Sequence, residues 1–298
     1  MFLMNKQKSF TLIELLVVIV IIGILAGVII VSVSSSINKA NFAKAQSFSN
    51  TVQNELLGDL VSEWTFDIAS NPGEDTWGNN DGTLVGANGL PQLQTKENCV
   101  YGTCYLFDGV DDYIKTSDNQ SLNFGSSMSA FIWVKGNSQL KYILGQYDFA
   151  INQRSWVIFA EDNFLRVYLS DNGTLTAGHY KHYKGNKIVF NNSWNFVGFT
   201  WNNGILKLYA DGAEEIVAKI YDAPIESIHN STADLTIGCI LNNNNLYYSF
   251  SGLIDDARVY NSALSSAQIK QQYVAGLDSL YSKGIISESE FNDRISGK

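Results

Sequence analysis

Hydrophobic and polar positions divide the chain into regimes of different period. From Leu15 to Ile37 no residue is charged and Val, Ile and Leu dominate. A helix over that run would be roughly 35 Å long, enough to cross a bilayer core. From Asn38 to Val61, Phe42, Ala45, Phe48, Val52, Leu56, Leu57 and Leu60 recur at three- and four-residue spacing among Lys, Asn, Gln and Ser, with no proline between them. That spacing predicts that the helix continues as an amphipathic one.

Beyond residue 61 the period shortens. Ala130–Val134, Ser155–Phe159, Phe164–Leu169, Trp194–Trp201 and Ile205–Tyr209 are short, aromatic or β-branched, and often alternating. Asp171-Asn172-Gly173, Asn202-Asn203-Gly204 and Asp211-Gly212 separate such runs, which predicts antiparallel pairing in two packed sheets. The tail returns to helical patterning. Ser265 with Gln268, and Ser287 with Glu290, read as capping boxes, and Gly284 divides two short helices expected to dock through Leu277, Leu280, Ile285 and Ile286.

Composition adds three constraints. Six Trp, fifteen Tyr and sixteen Phe give the strand region material for its own core. The formal charge of -9 argues against general nucleic-acid binding. Cys99 and Cys104 flank a short loop and are expected to pair if that region is exported; Cys239 lies in a strand-like run and reads as a buried thiol. No C-x-x-C zinc pattern is present.

The most telling position is Glu14, a carboxylate at the entry of the apolar run. An acid in such a place costs about 2.5–3.5 kcal/mol on insertion scales and marks a partner or a purpose. A secretory signal has a shorter apolar core and no acid between it and the basic region. Lys6 and Lys8 before the run, against Lys39 after it, favour a cytoplasmic N-terminus. The bland alternative is a plain single-pass anchor with an accidental Glu.

The segment Lys8-Ser9-Phe10-Thr11-Leu12-Ile13-Glu14-Leu15 and the apolar run behind it resemble the processing and methylation segment of type IV prepilins and type II secretion pseudopilins. The resemblance covers roughly residues 5–60 and implies that a prepilin peptidase cuts between Ser9 and Phe10 and methylates the new Phe10 amine. It also implies that Glu14 neutralises a Phe10 amine, on a neighbouring subunit, inside a filament core. The chain departs from the pattern at Ser9, where Gly is usual, and a bulkier residue there is expected to slow cleavage.

A second resemblance rests on Leu106–Ile114, on the Trp201–Gly212 hairpin and on Phe250–Asn261, which includes Gly252-Leu253-Ile254-Asp255-Asp256. Together they are similar to the concanavalin A-like, laminin G-like jelly rolls over roughly residues 62–275. This implies an α+β chain in which a long N-terminal transmembrane and filament helix precedes an all-β antiparallel jelly-roll sandwich and a short C-terminal helical hairpin. The divisions are 1–9 leader, 10–61 helix with a membrane-spanning part at 15–37, 62–262 jelly roll and 263–298 hairpin. A structural calcium is implied as well, since hard cations prefer clustered oxygen ligands. Its expected ligands are Asp67, Asp81 and Asp255, with Asp75 and Asp108 in reserve. The competing reading has Asp108, Asp111 and Asp256 capping turns, and Asp255 or Asp256 paired with Arg258.

Catalytic signatures are missing from the sequence. There is no Glu-x-Asp-x-x-Glu run, Gly-x-Ser-x-Gly elbow, phosphate loop or His-Glu-x-x-His motif, so a non-enzymatic role is expected. For ligand binding, His179, Tyr180, Lys181, His182, Tyr183 and Lys184 gather cations and rings suited to an acidic glycan or to single-stranded nucleic acid by stacking and phosphate attraction, the alternative being a solvated hairpin tip. Tyr247 and Tyr248, after the Asn242–Asn245 run, form a second candidate. The function expected is a structural pilin-like subunit, an inner-membrane precursor assembled with itself and other pilins into a surface filament that displays the jelly roll for adhesion or glycan recognition. Its rivals are a minor pseudopilin of a secretion or DNA-uptake machine, and a membrane-tethered glycan-processing enzyme with two carboxyl groups facing across a cleft.

Overall fold

A computed structural model describes residues 58–297 apart from 69, 138, 139 and 244, together with Leu12, Leu16, Val17 and residues 19–21. The chain divides into two compact units, residues 1–55 and 56–298. In the first, the described residues are helical. The predicted span 15–37 otherwise lies outside the described residues, as do Ser9, Phe10 and Glu14. Among the described residues no helix is long and apolar enough to cross a membrane.

The second unit is a two-sheet sandwich, with its described strands numbered along the chain. One sheet runs β13 (Ala213–Glu214), β12 (Ile205–Ala210), β11 (Asn195–Asn202), β6 (Ser127–Lys135), β18 (Ser251–Tyr260), β4 (Cys104–Asp108) and β3 (Gln92–Gln94), and β1 (Leu60–Trp64) also pairs with β18. The other runs β14 (Ala218–Asp222), β10 (Tyr180–Ile188), β9 (Phe164–Gly173), β8 (Gln153–Glu161), β7 (Leu140–Asp148), β15 (Leu235–Ile237), β5 (Tyr113–Thr116) and β2 (Gly82–Val85). On its flank β16 (Ile240–Asn242) meets β7, and β17 (Asn245–Tyr247) meets β16. Among the described strands pairing is antiparallel except at the β16 to β7 bridge.

Alternation builds the core. Ala130, Ile132 and Val134 of β6 face Trp156, Ile158 and Ala160 of β8 and Leu165, Val167 and Leu169 of β9 across the interior, all of them buried. The hairpin turns fall where expected: Asn203 and Gly204, and Asp211 and Gly212, all take positive φ, the geometry that matches the twist of two-residue hairpins. Asp171-Asn172-Gly173 instead belongs to the end of β9, and the chain reverses after it.

Of the amphipathic helix expected over 38–61, residues 38–57 lie outside the described residues. Its predicted end is not helical: Leu60–Trp64 adds to the edge of β18 and buries Trp64 completely. Ladder hydrogen bonds and a buried indole outweigh a helical spacing carried in its last turn by Leu60 alone.

Both C-terminal helices start at their signals, the first with a complete capping box and the second with only the serine half of one. Helix α1 (Ser266–Ser282) starts on a capping box between Ser265 and Gln268, and α2 (Glu288–Ser296) on Ser287, whose side chain accepts from the Glu290 N–H. Leu277, Leu280 and Ile286 are buried. Helix α1 lies on the outward face of the eight-stranded sheet, where Tyr273 stacks on Trp133 at 5.8 Å between centroids. Cys99 and Cys104 are bridged, and Cys239 is a buried free thiol.

Candidate functional site

Because α1 covers one sheet, the outward face of the ten-stranded sheet is the broad surface to consider. Strands with one wet face normally alternate apolar and polar residues. Strands β7, β8 and β9 do not: between the core-facing positions they place Tyr142, Tyr147, Val157, Phe159 and Tyr168, which cluster on the far side. His182 and Tyr180 of β10 and Tyr221 of β14 extend the row.

Strand register turns this row into a ladder. Tyr142 lies opposite Phe159, and Tyr168 opposite His182. Ring centroids are 5.0 Å apart for Tyr142 and Phe159, 4.8 Å for Phe159 and Tyr168, 4.3 Å for Tyr168 and His182, and 4.2 Å for Tyr180 and Tyr221. Those separations approach the ~4.8 Å strand spacing, and the first two pairs are within 14° of parallel. The rings therefore stand side by side across the strands. Each such pair contributes about 0.5–1.5 kcal/mol beyond its area.

At the β7 end the ladder opens into a cavity of about 280 Å³. Tyr142, Tyr147, Phe149, Arg154, Tyr247 and Tyr248 supply its walls. Tyr248 stacks on Tyr142 at 5.7 Å, and Tyr247 meets Tyr248 edge to face at 4.2 Å. Both of these tyrosines are about 40% exposed. Tyr248 holds φ +55°, a left-handed conformation that costs about 1–3 kcal/mol and persists where the surroundings impose it. The Tyr142 N–H donates to its carbonyl at 3.2 Å, and Asp148 Oδ1 accepts from Asn243 N at 2.9 Å, tying the β16 and β17 hairpin to β7.

Burial pushes the Tyr142 and Tyr147 hydroxyls well above the usual phenol range, so both stay protonated and able to donate. Burial and the neighbouring Arg166 guanidinium hold His182 down to about 4. Its Nε2 lies 3.4 Å from Arg166 Nη1 and suits a neutral acceptor. The consequence for stability has a definite sign. Below the unfolded pKa of ~6.5 the unfolded chain takes up the proton first, so stability falls as pH drops from 6.5 toward 4. Against a His182→Phe variant, the wild type should lose about 2 kcal/mol across that window once solvent screening is allowed for, or about 4–8 °C in Tm. Thermal melts of both proteins at pH 7 and pH 4.5 check this; parallel shifts would remove the assignment.

The predicted cation and aromatic run does not form a surface loop. It is strand β10, and alternation sends Lys181 and Tyr183 inward, 5% and 2% exposed, where both meet Asp222. Lys181 and Lys219 hold the Asp222 carboxyl well below the usual range against the opposing effect of burial. His179 pairs with Asp171 at 3.0 Å, and Lys184 sits 4.0 Å over the Phe164 ring. Of the predicted run, His182 and Tyr180 join the ladder. Tyr247 and Tyr248 are brought to the cavity, together with Tyr142, Tyr147 and Arg154, which sequence reading missed.

The predicted calcium ligands do not converge. Asp67 Oδ1 accepts from Thr103 N at 2.6 Å, Asp81 Oδ1 from Asp75 N at 2.9 Å and Asp255 Oδ2 from Tyr101 N at 3.0 Å, so each is occupied by a different stretch of backbone. Buried Asp75 accepts from the amides of Glu63, Trp77, Gly78 and Asn80. Beside Asp255 and Asp67 a cation is already built in: Lys283 Nζ donates to the carbonyls of Cys99, Val100 and Tyr101 at 3.2, 2.9 and 2.7 Å. Among the described residues the acidic group whose oxygens lie within 4.8 Å of one another is Asp108, Asp111 and Asp112. Its oxygens also cap turns, Asp108 Oδ1 accepting from Val110 N, Asp111 Oδ2 from Asn88 N and Asp112 Oδ2 from Asp108 N.

The strongest upward acid shifts, at Asp255 and Asp256, belong to residues that line none of the described cavities. Burial raises Asp255 well above the carboxylate range and Asp256 to about 6, the latter opposed by Arg258. Asp256 pairs with Arg258 at 3.0 Å and Arg258 with Glu63 at 2.7 Å, which makes this a structural network at the β18 bulge. A second hollow of about 440 Å³ beside β1 is lined by Asn79, Asn80, Asn119 and Asn123 and carries no aromatic or charged wall.

The profile of the concanavalin A-like lectin/glucanases superfamily matches residues 108–270, more than half of the chain. The chain belongs to that superfamily. Residues 4–30 match the prokaryotic N-terminal methylation motif, so a prepilin-type N-terminal segment is joined to the jelly roll. No curated protein matches the chain. Among solved structures, domain 4 of AbnA, an extracellular arabinanase of Geobacillus stearothermophilus in complex with arabinotriose, is 20% identical, with 71% of this chain and 97% of that one covered at a TM-score of 0.53. The binding domain of Paraclostridial Mosquitocidal Protein 1 is 16% identical over 75% of this chain, TM-score 0.57. The botulinum neurotoxin serotype D ligand-binding domain in complex with N-acetylneuraminic acid is 18% identical over 76%, TM-score 0.53. This chain spans 53% of each of those two toxin chains. At such identities the likeness defines the fold.

Proposed function

We propose that this protein is a pilin-like, non-catalytic subunit of a type IV pilus or related filament whose jelly roll binds carbohydrate at the aromatic cavity. The observation that carries the reading is the joining of an N-terminal methylation motif to a lectin-type fold in one chain. On this reading a prepilin peptidase cuts after Ser9 in an inner-membrane precursor, Phe10 becomes the methylated N-terminus, and Glu14 meets that amine on a neighbouring subunit. Assembly then lifts the β domain to the cell surface.

Carbohydrate is supported by the wall chemistry: exposed tyrosine rings for the C–H face of a sugar and buried hydroxyls held protonated as donors. Structural relatives solved with arabinotriose and N-acetylneuraminic acid point the same way. Immunogold labelling of cells with antibodies against the β domain tests the filament half. Labelled surface filaments that vanish when the prepilin peptidase is deleted are the expected result; label confined to the membrane in both strains would reject it.

A further inference from the structure

The cavity holds one group whose charge a neutral sugar leaves unanswered. Arg154 reaches its wall from β8, and its guanidinium is fixed before any ligand arrives: Nη1 donates to Asn152 Oδ1 at 2.8 Å and to the Gly173 carbonyl at 3.0 Å, and Nη2 donates to the Phe149 carbonyl. These partners are dipoles, and the Tyr147 ring lies 5.9 Å from the guanidinium carbon, so none of them carries a negative charge. The other arginines are paired, Arg166 with Glu161, Arg258 with Glu63 and Asp256, and Arg294 with Glu290 and Asp211. Among the described residues Arg154 alone of the arginines has no carboxylate within 4.0 Å. Its Nε is buried without a hydrogen-bond partner, and one Nη2 proton remains free by valence.

An oriented, unneutralised guanidinium beside aromatic rings, in a chain of formal charge -9, is a receptor for an anion. A lone guanidinium balances a single charge. The cavity volume of about 280 Å³ equals about nine waters at their share of liquid volume, which suits one ring with its substituents. The rings that remain exposed, Tyr247 and Tyr248, offer an apolar surface to a sugar while Arg154 stands on another wall of the same cavity. Resting on the carbohydrate reading above, we infer that the cavity takes a glycan-terminal pyranose bearing a carboxylate, with the ring against Tyr247 and Tyr248 and the carboxylate on Arg154. Uronic acids and nine-carbon acidic sugars share that chemistry.

The test compares acids with their own esters on detergent-solubilised full-length protein, by titration calorimetry. Probes are oligosaccharides ending in glucuronate or N-acetylneuraminate, the methyl ester of each, and a neutral oligosaccharide. The wild type should bind an acid about tenfold more tightly than its ester, equivalent to about 1.4 kcal/mol. That preference should disappear in Arg154→Gln and shrink as salt rises, while Tyr247→Ala weakens acid and ester alike. Whichever acid binds more tightly identifies the source. Equal binding of acid and ester overturns the acidic class and leaves the carbohydrate reading standing; no binding of acids, esters or neutral sugar overturns both. Should Arg154→Gln fail to fold, the acid and ester comparison on the wild type decides alone.

Discussion

A Glu14→Ala variant should insert in the membrane as the wild type does and build no filaments. Removing the carboxylate makes the N-terminal apolar run more hydrophobic, so insertion is favoured rather than hindered. On the proposed pairing, the same change leaves each Phe10 ammonium buried without its counter-charge. Breaking one partner of a buried pair costs about 3–5 kcal/mol, which at every subunit contact raises the concentration needed for growth by about two to four orders of magnitude. Glu14→Gln should fail as Ala does, since it restores size and hydrogen bonding without charge. Membrane fractionation alongside electron microscopy of sheared filaments checks both halves, and wild-type filament yield from either variant would remove the assembly role of Glu14.

The second large effect is expected at Gly276, on α1 where it crosses the eight-stranded sheet. A Cβ built there would stand 2.3 Å from Cζ2 and 2.7 Å from Cε2 of Trp133. Trp133 cannot yield, because it is fully buried, stacked on Tyr273 and packed against the tilted ring of Phe196. Gly276→Val should therefore lift the helix from the sheet and destabilise the domain by about 3 kcal/mol, lowering Tm by about 6–12 °C. The glycine is unfavourable for the helix itself by about 1 kcal/mol against alanine, so its presence reflects the close approach. Thermal denaturation of the domain with its disulfide intact measures the effect; an unchanged Tm would mean that the helix does not rest on Trp133.

What the sequence made legible was what local rules decide. The caps at Ser265 and Ser287, the turns at Asn203 and Asp211 and the aromatic strands all depend on residues a few positions apart. The Cys99 and Cys104 pair belongs with them, bridged across a separation of 5 residues. Where reading failed, a distant partner decided the outcome. Lys181 points inward because Asp222, 41 residues away, receives it. Asp67 and Asp81 were assigned to a cation, yet amides of their own neighbourhood and of the disulfide loop claim them. Arg154 had no motif, since its role arises from register between β7, β8 and the β17 edge. One signal was available and went unread: β7, β8 and β9 carry aromatics at positions where a wet face calls for polar residues, which marks a second apolar face with a use of its own.

The measurement that bears most directly on the central claim is intact-mass and peptide mapping of the chain recovered from surface filaments. A mature N-terminus at Phe10 carrying one methyl group, with residues 1–9 absent, is the predicted result. Filaments built from chains that retain Met1 would contradict it, because the amine that Glu14 is proposed to neutralise would never have been exposed.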